Sequence, residues 1–299
     1  MTLSREPSQR PDHSVAWVSV PRLNVVGDRR LSGRLLSRFV AFQGLLNEEL
    51  SRHVCVVNNP VLELLDHDEG TRQLLPWFLP QWSLVISQMM LSRQQLMIEM
   101  LGDSRWARLA ESPVMTVRRQ LSYDHEGSGV WQAPKEQPNP AELLLRTNDQ
   151  VHGWWESCQS LLPELGVLMP DMRHAQAATR QLCRVIEQDY LNDELSIALA
   201  TMYVLENALS NDVSLRLRHS VERCQDTDLP VPGLRFFDTM LLVARENSAL
   251  VQHFIESWYF FDKPDEAAFM RQALLIIHAY DAFWEQFMPF MKQGPRPSS

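Results

Sequence analysis

Leu31, Leu35, Leu36, Phe39, Phe42, Leu45, Leu46 and Leu50 recur at spacings of three and four residues. That period places them on one face of an α-helix, and it is the pattern that returns along most of the chain. No segment of convincing length alternates with the period of two that a half-buried strand needs, and no fixed-period repeat appears. The expectation is therefore an all-α protein. With only 11 Gly in 299 residues, the chain also lacks the tight-turn supply of a large β-barrel.

Start and stop signals divide the pattern into elements. Asn59-Pro60 closes the first helix and opens a short one to about Asp66, because the residue before proline disfavours the α region. Thr71 to Leu101 reads as a core helix kinked at Pro76 and Pro80. Asp103-Ser104 caps a further segment. Residues 124–138, with Gly127, Gly129, Pro134 and Pro138, interrupt the helices, and Asn139-Pro140 restarts them to about Leu165. Pro170-Asp171 opens a helix to about Tyr190. Asn192 or Asp193 opens another, with Leu195, Ala198, Leu199, Met202 and Leu205 on its face. A polar gap from Gln225 to Pro232 precedes a helix from Gly233 to about Phe260. Lys263-Pro264-Asp265 restarts the last, which ends near Met291. The reading is a single bundle of eight to nine helices over residues 29–292. Residues 1–28 form a loose arm and residues 293–299 a frayed tail.

Composition narrows the function. Lys plus Arg is 28 and Asp plus Glu is 37, a net charge of −9, so there is no basic excess to neutralise nucleic-acid phosphates. No apolar run is long enough for a membrane span, and residues 1–13 are too polar for a secretory leader, so the expected location is the cytoplasm. Cys55, Cys158, Cys183 and Cys224 form no close pair and read as reduced thiols. No phosphate-binding loop, dinucleotide fingerprint or G-x-S-x-G nucleophile motif is present.

The second half of the chain carries a resemblance. A turn Tyr123-Asp-His-Glu-Gly-Ser-Gly129 is followed by a Leu-rich helix. Next come a helix with Glu206 alone in an apolar run and a helix starting Phe236-Phe237-Asp238. This order resembles the heme-oxygenase-like superfamily, and within it the diiron oxidase and oxygenase branch. The resemblance implies a heme-oxygenase-like helical bundle, with iron and O2 acting on a small amino-acid-like or fatty-acid-like metabolite in a biosynthetic pathway. It also implies ligand positions. Glu206 matches the middle-helix carboxylate. The turn has His125 where the family has Glu, with Glu126 beside it. The late helix has Met240, Ala244 and Asn247 at its three ligand positions, so its nearest carboxylate donor is Glu246. The metal-ligand set expected from the resemblance is thus Glu206, His125, Glu126 and Glu246. The alternative is a metal-free accessory relative that binds a ligand, a partner enzyme or a second copy of itself.

Other polar pairs have simpler readings. Asp149 and His152 lie beside two tryptophans, and His219 and Glu222 sit in a charged stretch that reads as a solvated face. His278 and Asp281 share a helix face among Tyr280, Phe283 and Trp284, where the His is expected to be satisfied by a neighbour. His53 is the sole candidate for a proximal heme ligand on the first long helix, near its end. A nucleophilic role for Cys158 or Cys183 would need an activated thiol.

Overall fold

The computed structural model describes residues 33–53, 55–56, 59–102, 104–110, 163, 171–208, 211–224 and 234–289. Among these residues there are nine α-helices and no strand, as the periodicity predicts. They are α1 (Gly33–Leu50), α2 (Pro60–Leu65), α3 (Asp68–Leu101), α4 (Arg105–Ala110) and α5 (Ala177–Asp189). The remaining four are α6 (Leu195–Ala208), α7 (Asn211–Cys224), α8 (Leu234–Phe261) and α9 (Glu266–Glu285).

Local chemistry sets several boundaries. Asn59 caps α2, its Oδ1 accepting the N–H groups of Val61 and Leu62 at 3.1 and 3.4 Å, with Pro60 in the first turn. Asp265 caps α9 by accepting the Ala268 N–H at 2.9 Å. Ser104 Oγ accepts the Ala107 N–H at the start of α4. Helix α3 runs through Pro76 and Pro80 without a break.

Three boundaries depart from the expectation. Asp171 opens a 3-10 turn, Met172–His174, instead of a helix, because its side chain accepts the Arg173 N–H two residues on. Such a local bond competes with the helical ladder, and α5 starts only at Ala177. Helix α7 is an element of its own, held by Val213, Leu217 and Val221, a sparse buried row inside a charged stretch. Helix α9 is interrupted after Glu285, where the Phe287 N–H turns back to the Trp284 carbonyl, and residues 288–289 are helical again.

Helix α6 lies at the centre. Residues 198–206 are all buried, which is the mark of a helix with neighbours on every side. It packs most extensively on α9 and next on α8, while α3 lies along α5. Helix α1 buries Phe39, Phe42, Leu46 and Leu50, one side of a single helix face. Phe42 stacks on Tyr259 at 5.6 Å and meets the edge of Phe269 at 5.3 Å. This docking brings the end of α1 beside α9, and it fixes the position of the polar cluster described next.

Candidate metal centre

The turn that follows α1 ends against α9. His53 lies in that turn, with its N–H bonded to the Leu50 carbonyl. His53 Nδ1 faces Asp281 Oδ2 at 2.6 Å, and the Cys55 backbone N–H donates to Asp281 Oδ1 at 3.1 Å. His278 stands one helical turn before Asp281 on α9, and its ring meets that of His53 edge-on at 4.9 Å. The donor atoms of His53, His278 and Asp281 all lie within 4.8 Å of one another. The side chains of His53 and Asp281 are 14% and 18% exposed, and His278 is open to solvent.

Two imidazoles and one carboxylate are a donor set suited to Fe(II), and they leave coordination positions free for other ligands. Ligand atoms about 2.1 Å from a common cation sit about 3 Å apart. The 2.6 Å contact of His53 with Asp281 must therefore open by a few tenths of an ångström when a cation enters. A short side chain on each side makes that opening a small rotation.

The neighbouring thiol is not an activated nucleophile. Burial, then the hydrogen bond and the negative charge of Asp281, push the Cys55 thiol well above its ordinary range. Cys183 is likewise pushed up to about 12, by burial and then by Glu187.

Glu206 takes a different partner from the one the resemblance implies. Its two oxygens are bound by Arg93, Nε donating to Oε1 at 2.8 Å and Nη2 donating to Oε2. The Tyr190 hydroxyl donates to Oε1 at 3.0 Å. The Asn247 amide, oriented with its oxygen inward, accepts from Arg93 Nη2 and Nη1 at 3.1 and 3.3 Å. Burial works against the Arg93 charge, but Glu206 and Tyr190 outweigh it and hold the guanidinium above its ordinary value. Iron does not fit at Glu206 in this arrangement. A fixed organic cation already neutralises the carboxylate, and it also reaches Asn247, another of the family's ligand positions.

His125 and Glu126 lie outside the described residues, and Glu246 lies in α8 with its side chain outside them. His253, a further donor on α8, bonds through Nε2 to the Leu109 carbonyl at 3.1 Å.

The sequence carried half of the signal for the cluster that is present. His278 and Asp281 show the right spacing on one helix face. His53 lies 228 residues from Asp281, and no local pattern joins the two. No family model, curated protein or solved structure matches this chain.

Proposed function

We propose that this chain is a metal-dependent protein of the iron oxidase or oxygenase type, holding one divalent cation with His53, His278 and Asp281. The observation that carries the reading is the convergence of those three donor sets within 4.8 Å. Iron so held would supply O2 activation, and the resemblance to the heme-oxygenase-like diiron branch suggests a small amino-acid-like or fatty-acid-like substrate. The chain's own residues orient the ligands. Asp281 is fixed by the Cys55 N–H, and His278 presents its ring from α9 toward solvent, where a small molecule can approach.

A second reading rests on a different observation. The Arg93–Glu206 pair occupies the interior position where the resemblance expects a metal. This favours an accessory relative that has given up the family's internal centre and binds a ligand or partner.

Anaerobic titration of the full chain with Fe(II) tests both. One equivalent of bound iron is expected, lost in His278→Ala and in Asp281→Ala and retained in Glu206→Gln. Oxygen uptake by the loaded protein then separates an enzyme from an accessory protein. Iron binding that survives both α9 substitutions would overturn the proposed centre.

A further inference from the structure

Helix α1 buries one face and leaves the opposite face open. Val40 and Leu45 flank that open face, 54% and 59% exposed, with Ala41 and Gly44 exposed between them. Among the described residues nothing covers it at Gly44, where an added Cβ would meet no neighbour within 4 Å. The charges along this face have a set order. Arg34 and Arg38 stand exposed near the start of the helix, and Glu48 stands exposed at its end with Glu49 half-buried beside it. A helix dipole favours the reverse, carboxylates in the first turn and cations in the last, and α1 has neither. The order therefore contributes nothing to the helix on its own. Within the chain, Arg38 reaches Glu266 at 2.8 Å, and Arg52 spans Glu48 and Glu49 at 2.5 and 2.6 Å. These pairs leave a positive excess at one end of the face and a negative excess at the other.

We propose that this face of α1 docks a second copy of the chain, the two α1 helices lying antiparallel about a twofold axis beside Gly44. A surface whose ends carry opposite charge is complementary to itself when reversed, and self-complementarity is what a twofold contact requires. With Ala41 level with the partner's Gly44, Leu45 comes over the partner's Ala41 and Val40 over the partner's Gly44. Each bulky apolar side chain then meets a small one, which lets the helices approach closely enough to cover it. Arg34 and Arg38 come beside the partner's Glu48. A parallel pairing would instead set like charges together. Helix α1 has 18 residues and is about 27 Å long. A contact of that length lies at the small end of specific interfaces, so the expected dissociation constant is micromolar. None of these residues is a proposed metal ligand, so the contact is independent of the metal reading.

Sedimentation equilibrium of the full chain, from about 1 to 100 μM, tests the contact. A monomer–dimer equilibrium is expected for the wild type. Gly44→Gln places a better helix former in open space, so thermal unfolding should show stability kept or raised. The same side chain enters the room that the partner's Val40 needs, and the dissociation constant should rise about tenfold or more. Leu45→Glu should weaken the dimer to a similar degree. The charges give a reciprocal test. Arg34→Glu or Glu48→Arg alone makes the two ends alike and should weaken association about fivefold, since each contact occurs twice in the dimer. The double variant Arg34→Glu/Glu48→Arg reverses both ends and should restore wild-type affinity. A wild type that stays monomeric at every concentration would overturn the proposal, whatever else covers this face. So would a dimer indifferent to Gly44→Gln and Leu45→Glu, which would lie on another face. A double variant as weak as the single ones would overturn the antiparallel pairing.

Discussion

At the scale of single residues, the buried Arg93–Glu206 pair governs the interior. The two side chains are 12% and 2% exposed. Taking both charges out of water is costly, and their attraction offsets this only while both are present. Removing one strands the other. Glu206→Ala should cost about 3–5 kcal/mol in urea unfolding. The double variant Arg93→Met/Glu206→Leu should lose much less than the sum of the two single changes. Additive losses would show that the pair is not coupled. Glu206 is legible in the sequence as a carboxylate in an apolar run that must have a partner. Which partner is not legible, because Arg93 lies 113 residues away, beside Ser92, Gln94 and Gln95 in the segment that reads as a kinked core helix, and no local pattern joins it to Glu206. The buried thiols give a second expectation at this scale. Both have raised pKa values, so at about pH 8 they remain protonated and unreactive. Alkylation mapped by peptide mass should leave Cys55 and Cys183 unmodified in the folded protein and modify both after unfolding. Labelling of the native chain at the rate of a free thiol would contradict this.

At the scale of elements, the metal ligands belong to two pieces of chain. His53 comes from the turn after α1, and His278 and Asp281 come from α9, so a bound cation ties the turn to the helix. Binding to the folded state alone stabilises it by about 2.7 kcal/mol at a free metal concentration about 100 times the dissociation constant. A shift of that size in denaturant unfolding is expected with Co(II) for the wild type, and none for Asp281→Ala. Amide exchange should slow in the turn from Ser51 to Val56 on metal addition. Unchanged exchange there, with metal bound, would place the cation elsewhere. Most of these elements could be read from caps and spacing, as at Asn59-Pro60 and Asp265. The failures have local causes. The Asp171 side chain bonds to the Arg173 N–H and delays α5, and the few apolar residues of α7 hide its helix among charges. The seam itself is a tertiary contact, and periodicity within one segment carries no information about it.

At the scale of the whole molecule, the described helices close around α6, and none of them is long and apolar enough to cross a membrane. The bundle buries tyrosines on several elements. Tyr190 follows α5, Tyr203 lies on α6 and Tyr280 on α9, and each is almost fully buried. Burial favours the neutral phenol, so all three pKa values are raised. Tyr203 rises from 10.0 to about 12, and beside Tyr190 the charge of Glu206 adds to the effect. A group whose folded pKa lies above its unfolded value contributes stability that is complete below the unfolded pKa. That contribution is lost as the pH climbs from the unfolded to the folded value. For Tyr203 the window runs from 10.0 to about 12. The Tyr203 hydroxyl also donates to Asn47 on α1 at 2.9 Å, so ionisation there removes a bond between the central helix and α1. Alkaline titration should therefore show tyrosinate absorbance rising together with the loss of helical circular dichroism, in one cooperative step. Tyr203→Phe should lower stability at neutral pH through the lost bond to Asn47, and it should flatten the decline with alkali. Buried phenols that titrate smoothly near 10 with helicity intact would mean that water reaches the centre of the bundle, and that α6 is not enclosed as its burial indicates.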